Sequence, residues 1–256
     1  MTDVPPEVAG RIRRPAPAGL AVLDGSLPVI SFGDFRRAKV ATLALNPSSS
    51  EFLDARGQWL LGTERRLASR FSLVKQACEE LSDDDVARVF AESNAYFEGP
   101  NWLRRWFCWL ETLLVDADLG SYLNGSACHL DLVQWATQPA QGKLAAPVWT
   151  NLVEADRAFL TWQLANCSAP TLLVNGAACV RWLEQEQIVS SWRSEQLNFR
   201  DKKGAHARLM VYRADQHGRR FIGWNRPVAG QIPAEGRAQL TAWLAAAARD
   251  APPANR

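Results

Sequence analysis

The chain has 256 residues, of which 47% are apolar and 22% charged, a balance typical of a globular protein with a sizeable core. No apolar run reaches the roughly 20 residues of a membrane-spanning helix, and the N-terminus lacks the basic-then-apolar order of a signal peptide, so we expect a cytoplasmic protein. Net charge is only +2, yet residues 191–256 carry twelve Lys and Arg against five Asp and Glu. This excess indicates either an anionic partner such as DNA or a solvated basic surface, and charge alone does not choose between them.

The cysteines and histidines are few and scattered, with no Cys-x-x-Cys pair among five cysteines and three histidines. Their spacing is not that of a disulfide framework, a zinc site or an iron–sulfur cluster. We therefore expect free thiols, no metal and no cofactor.

Apolar periodicity predicts alternating strands and helices between two proline-rich ends. Residues 1–20 are predicted to form a flexible arm, 21–250 a single domain, and 251–256 a disordered tail. In chain order, we expect a buried strand at 39–46, helices at 65–81, 83–93 and 101–117, a strand at 127–137, a helix at 151–167, a strand at 170–176, a helix directly after it, paired strands at 207–215 and 219–225, and a closing helix at 234–250.

This alternation predicts an α/β fold with a central, mostly parallel sheet that is covered by helices on both faces. In the helix at 101–117, Trp102, Trp106 and Trp109 fall on one face and are expected to lie in the core. Four predicted strands end at polar residues or glycine, namely at Asn46, Asp131, Gly176 and Asn225. The carboxyl ends of parallel strands are where open α/β sheets place their functional groups.

The motifs at these strand ends resemble those of the uracil-DNA glycosylase superfamily, most closely its mismatch-specific and thymine-DNA branch. The matching segments are ALNPSSSEF (44–52), ARGQWLLG (55–62), CHLDLVQWAT (128–137), TLLVNGAACVRWL (171–183) and FIGWNRPVAG (221–230). The chain departs from the superfamily pattern at Ala44 and Ser48, which replace glycines. It also lacks the His and Pro-Ser of the second motif, after Asn225.

The resemblance implies a role for each matching residue. Asn46 would orient the hydrolytic water, and its alternative reading is a turn residue. Pro47, Ser48, Asn225 and a stacking Trp59 would hold the extruded base, although Trp59 also suits a core position. Arg219, Arg220 and Arg226 would contact DNA phosphates.

Asp131 matches the position that reads the base edge. A carboxylate only accepts hydrogen bonds, so it favours the N4 amine of cytosine over the O4 of uracil. Its alternative readings are a loop cap or an ion-pair partner of an arginine.

We therefore expect a monomeric, monofunctional DNA glycosylase that flips out and releases a modified cytosine, such as those in phage DNA, from double- or single-stranded DNA. Such an enzyme would be associated with the nucleoid and would serve defence against phages. Two alternatives remain open: a repair glycosylase for uracil or deaminated bases, and a catalytically silent protein that binds modified DNA. An α/β hydrolase is disfavoured because no Gly-x-Ser-x-Gly motif is present.

Overall fold

The computed structural model describes residues 3–76, 79–201, 203–227 and 232–249. Its helices are α1 (Pro6–Arg13), α2 (Asp83–Asn94), α3 (Arg104–Asp116), α4 (Ala146–Asn166), α5 (Ala177–Gln185) and α6 (Ala234–Arg249). Its strands are β1 (Val40–Ala44), β2 (Ala127–Asp131), β3 (Thr171–Asn175), β4 (Arg193–Arg200), β5 (His206–Gln216) and β6 (Arg219–Trp224). None of the described helices is both long and apolar enough to span a bilayer.

The six strands form one sheet in the order β2-β1-β3-β6-β5-β4, which confirms the α/β fold. The pairs β1–β3 and β3–β6 are parallel, whereas β6–β5 and β5–β4 are antiparallel. Hydrogen bonds from Val40 N to Ser126 O (3.2 Å) and from Val133 N to Leu45 O (3.0 Å) show that β2 also runs parallel to β1. The carboxyl ends of β2, β1, β3 and β6 therefore share one edge of the sheet.

The chain divides into two compact units, and the single domain over 21–250 stays a prediction. The first unit comprises Met1–Phe35, Leu45–Leu103 and Leu130–Cys167. The second comprises Arg36–Ala44, Arg104–His129 and Ser168–Arg256, and it contains the sheet apart from the last two residues of β2. In the second unit, α5 packs on β3 and β6, and α6 packs on β4.

The N-terminal segment is not the flexible arm that its prolines indicated. Pro6 begins α1, a position where a missing N–H costs nothing. Val8, Arg11 and Ile12 are buried in the first unit, so α1 belongs to the core. The predicted tail at 251–256 lies outside the described residues.

The prediction of a helix at 65–81 is wrong, because residues 65–76 are irregular apart from a β-bridge at Ser69 and a turn at 70–74. Ser69 and Ser72 explain the difference: Ser72 Oγ donates to Ser69 O (2.9 Å), and Ser69 N donates to Ser72 Oγ (2.9 Å). Such local side-chain bonds compete with the helical pattern. The helix predicted at 83–93 is confirmed as α2, which begins with a capping box between Ser82 and Asp85.

Two further corrections concern α3 and β4. The buried face of α3 is formed by Phe107, Leu110, Leu113 and Leu114, while Trp106 and Trp109 are only half-buried and Trp102 is buried just before the helix. Strand β4 was not predicted. It is an edge strand whose residues are mostly exposed, so it lacks the apolar alternation that marks a half-buried strand.

Candidate functional site

The site candidate in the first unit is built around the side-chain amide of Asn46, two residues after β1. Asn46 Nδ2 donates to Trp135 O (3.2 Å), Thr137 Oγ1 (3.1 Å) and Pro47 O (3.1 Å). The carbonyl oxygens of Trp135 and Pro47 can only accept hydrogen bonds. The atom of the Asn46 amide that faces them is therefore the nitrogen, Nδ2. Asn46 is thereby held in one orientation by the loop that follows β2.

The other end of this amide is the chemically available one. Asn46 is half-buried, and within the described part of the chain its side chain makes hydrogen bonds only through Nδ2, so Oδ1 accepts none. An amide oxygen accepts up to two hydrogen bonds but is not a strong base. The arrangement therefore provides a pre-oriented acceptor at the carboxyl end of a parallel strand, which suits the positioning of a water molecule or of an N–H group.

The loop that holds Asn46 is itself braced from beneath by α1 and α4. Gln134 N donates to Asp156 Oδ2 (2.7 Å), and Arg11 donates through Nη2 to Asp156 Oδ1 (2.6 Å) and through Nε to Gln134 Oε1 (3.3 Å). Gln134 Nε2 completes the set by donating to Asp131 O (3.0 Å). Burial raises the pKa of Asp156 and lowers that of Arg11, and their mutual attraction opposes both shifts.

Asp131 ends β2 and lies beside the Asn46 segment, since Val133 N, two residues later, bonds to Leu45 O. Its side chain is 4% exposed. A carboxylate taken out of water in this way needs compensation from donors or cations. The structure thus brings Asp131 and Asn46 to adjacent strand ends of one unit, as the sequence predicted.

The remaining predicted residues of the first unit have structural contacts of their own. Pro47 is buried, and the exposed Ser48 accepts from Ser50 N (3.2 Å), which caps the short 3₁₀ helix Ser49–Glu51. The Trp59 ring is half-buried and packs on Phe52 and on Phe71, with centroid distances of 6.0 and 4.6 Å. Because Phe71 is 50% exposed, this pair presents an aromatic surface to solvent.

The 3₁₀ helix after the motif is clamped by groups that the sequence did not reveal. The buried Glu51 accepts from Tyr96 OH (2.6 Å), and Tyr96 OH accepts from Leu103 N (2.8 Å). Arg66 Nη1 donates to Ser50 O (2.8 Å). Burial, reinforced by the Glu51 charge, raises the pKa of Tyr96 well above its ordinary value, so Tyr96 stays protonated at neutral pH.

The strand ends of the second unit use their amides differently. Asn175, at the end of β3, accepts from Trp224 Nε1 (2.9 Å) and is buried. Asn225, after β6, accepts through Oδ1 from Met210 N (3.1 Å), while its own N donates to Met210 O (3.0 Å). The Asn225 amide oxygen, which we expected at a base, thus extends the β5–β6 ladder.

The predicted DNA-contacting arginines, also in the second unit, fall into two groups. Arg220 is 6% exposed, and it donates to Asp215 Oδ1 (2.7 Å), Ala247 O (2.9 Å) and Ala248 O (2.7 Å). This corrects its assignment as a phosphate ligand, because its guanidinium ties β5 and β6 to α6. Arg219 and Arg226 are half-buried and stay candidates.

Among the described residues, no three His, Cys, Asp or Glu side chains come close enough together to hold a metal ion. The described free thiols are Cys108, Cys128, Cys167 and Cys179, and only Cys108 is exposed.

The fold and these contacts define an α/β protein in which three acceptors hold the amide of Asn46 shortly after β1 in the chain. No protein-family model matches the chain, and no curated protein is significantly similar to it. The sequence reasoning missed Arg11, Gln134, Trp135 and Thr137, which orient the site. For Gln134 and Thr137, the available signal was their position as polar residues shortly after β2, within the segment from which only Asp131 was selected.

Proposed function

We propose that the protein is a DNA glycosylase of the uracil-DNA glycosylase type, which extrudes a modified pyrimidine and hydrolyses its N-glycosidic bond. The favoured substrate is a modified cytosine, as in phage DNA, and the product is an abasic site. A function in defence against phages would follow from that substrate.

The observation that carries the proposal is the orientation of Asn46. Its Nδ2 is occupied by three acceptors, so Oδ1 is directed away from them and can accept from a water molecule. In the reaction, the water oxygen forms a bond to C1′, the bond from C1′ to the base nitrogen breaks, and the base leaves with the electron pair and takes up the proton that the water loses. An amide suffices for this role, because the barrier falls chiefly by orientation and by stabilisation of the leaving base.

Asp131 supports the choice of cytosine. Its carboxyl is buried one strand away from Asn46, where an acceptor would pair with an exocyclic amine and repel a carbonyl oxygen. The Trp59–Phe71 pair would offer a stacking surface, which is worth about 1–3 kcal/mol per base.

A second candidate, a catalytically silent protein that binds modified DNA, is favoured by one observation. Asn225 stands where the superfamily's second motif would contribute to the chemistry, yet its amide oxygen is committed to the Met210 backbone. Such a protein would bind the same DNA through the same groups without releasing the base.

The deciding experiment measures abasic-site formation on matched DNA duplexes and single strands that contain cytosine, uracil or a substituted cytosine, with a chelator present. The first proposal expects abasic sites in the substituted-cytosine DNA even with the chelator present. Release from uracil DNA alone would indicate the repair glycosylase. Specific binding of the modified strand without release would establish the silent binding protein.

Asp131→Asn sharpens the same assay. An amide can donate to O4, so the variant should shift preference toward uracil by about ten- to a hundredfold, since a mispaired buried polar group costs about 1–3 kcal/mol. The measurement is a competition between uracil and substituted-cytosine substrates for both proteins. A shift in the opposite direction would exclude Asp131 as the group that selects cytosine.

A further inference from the structure

The helices of the second unit cover one side of its sheet only in part. Helix α5 packs on β3 and β6 on the side of Gly223, where an added Cβ would lie 2.9 Å from Val180 Cγ2 of α5. Helix α6 packs on β4 on the opposite side, where Gly236 lies against the buried ring of Phe199. The part of the α5 side that β4 and β5 form lies beyond the strands on which α5 packs.

The strand register assigns the residues of β4 and β5 to these two sides. Tyr212 pairs with Gly223 of β6 and with Ser194 of β4, so all three project to the α5 side. Because successive residues of a strand alternate between faces, every second residue from these positions does the same. Met210 and Tyr212 are half-buried, and the others are exposed. We call this surface the open face and define it by Ser194, Gln196, Asn198, Arg208, Met210 and Tyr212.

Charge is segregated between the two sides of these strands. The carboxylates of β4 to β6 belong to Glu195 and Asp215, and both project to the α6 side, where each accepts a hydrogen bond. On the α5 side, Arg208 lies within the open face, Arg200 ends β4, and Arg219 begins β6. The strands thus direct arginines and no carboxylate to this side, which favours an anionic partner.

An aromatic pair lies at one end of the open face. Trp192, one residue before β4, packs on Tyr212 with a centroid distance of 6.1 Å, and both residues are half-buried. Within the described residues, the Tyr212 hydroxyl and the exposed Arg208 guanidinium make no hydrogen bond or ion pair. Arg208 and Tyr212 are four residues apart on β5, or about 13 Å, so one short strand of nucleic acid can reach both.

We propose that the open face binds single-stranded DNA, with Arg208 at a phosphate and the Tyr212 ring stacked on a base. Guanidinium groups pair with phosphate oxygens, and aromatic rings stack on any base. A duplex would engage the arginine alone, because its bases stack on one another and leave no base face for Tyr212. The open face belongs to the second unit and shares no residue with the Asn46 site, so the proposal does not depend on base release.

The test is fluorescence anisotropy of a labelled single-stranded oligothymidylate that is titrated with the full chain. This strand contains neither cytosine nor uracil, so the proposed base release does not enter the measurement. Wild type should bind it saturably. Arg208→Gln should bind about fivefold more weakly. It should also lower the slope of log affinity against log salt by about 0.7, the contribution of one phosphate contact in a single strand.

Arg193→Gln is the matched control for charge. Arg193 is an exposed arginine of β4, the strand next to β5, and it makes no ion pair within the described residues. By the alternation of the strand it projects to the α6 side, away from the open face. Its loss removes the same charge and should leave both the affinity and the salt slope as in wild type.

Two further variants separate stacking from charge. Tyr212→Leu keeps an apolar side chain but loses the ring, and it should bind about tenfold more weakly. Tyr212→Phe keeps the ring and should bind as wild type does. Thermal unfolding checks that each variant is folded, and Arg208→Gln tests the open face independently because Arg208 is exposed.

Three results would overturn the proposal. The first is no saturable binding of the single strand by wild type. The second is an equal effect of Arg208→Gln and Arg193→Gln, or no effect of either, which would place the strand elsewhere on the molecule. The third is tighter binding of the matching duplex or of the matching RNA strand than of the single DNA strand.

Discussion

The strand ends of the two units carry the same side chain and use it in opposite ways. Asn46, in the first unit, is held through its nitrogen and keeps its oxygen available. Asn175 and Asn225, in the second unit, give their oxygens to Trp224 and to the Met210 backbone. An asparagine at a strand end is thus a functional group only where neighbouring acceptors hold its nitrogen and leave its oxygen open.

The two units also differ in how their buried arginines are used. Arg11 braces the loop that orients Asn46, whereas Arg220 joins β5, β6 and α6 inside the second unit. A cation buried beneath a loop fixes the geometry of that loop, and one buried within a sheet contributes only to the fold. We therefore expect base release to depend on the residues that follow the strands in the first unit, and not on those of the second unit.

The largest expected effect is that of Asn46→Ala, which should abolish base release while DNA affinity stays within a few-fold of wild type. The reason is that, in the proposed mechanism, Oδ1 would position the water and would not bind the DNA backbone. The measurement is the single-turnover rate of base release. The control is Asn225→Ala, which should keep most of the wild-type rate. If Asn46→Ala keeps more than a tenth of the rate, or if Asn225→Ala is equally inactive, the contrast between the two amides fails.

The next effect concerns the brace beneath the site. Arg11→Met leaves Asp156 buried without its ion-pair partner and should lower the free energy of unfolding by about 3–5 kcal/mol. Arg13→Met, on the same helix, breaks the exposed ion pair with Asp83 and the hydrogen bond from Arg13 Nε to Leu81 O (3.2 Å), and it should cost only about 1 kcal/mol. Urea denaturation measures both, and equal losses would mean that α1 contributes no more than a surface contact.

A smaller effect is expected for DNA binding by the second unit. The affinity should fall steeply with salt, and neutralising Arg219 and Arg226 together should reduce the slope by about two phosphate contacts. Arg220→Gln should instead lower the free energy of unfolding, because Arg220 holds Asp215 and the end of α6. A salt slope that the double variant leaves unchanged would exclude Arg219 and Arg226 as phosphate ligands.

The smallest effect is a pH dependence in the clamp beside Asn46. Burial raises the pKa of Tyr96 above the unfolded value of about 10. The contribution of Tyr96 to stability is therefore complete below pH ~10 and is lost as the pH rises from there toward the folded-state pKa. Tyr96→Phe should be less stable at neutral pH but should lose less additional stability at high pH, as thermal unfolding across pH 8–11 would test. Parallel stability curves for the two proteins would contradict this.

Much of the chain organisation follows from local sequence alone. The strands at 39–46 and 170–176 and the helices at 83–93 and 234–250 were predicted from apolar periodicity and helix-start signals, because burial of one face leaves a regular imprint. The position of Asn46 and Asp131 at strand ends follows in the same way. Where side chains compete with the backbone, as Ser69 and Ser72 do, the periodic pattern misleads.

Only the tertiary structure decided which polar residues are available for function. The sequence gives no reason to treat Arg220 and Arg226 differently. In the structure, however, Arg220 donates to the carboxylate of Asp215 and to two carbonyl oxygens of α6. Asn46 and Asn225 both follow strands, and distant acceptors or donors determine which amide atom stays open. The ion pair between Arg11 and Asp156 likewise joins residues that are 145 positions apart in the chain. No local pattern predicts such a contact, because a hydrogen-bond partner is selected by proximity in the folded chain.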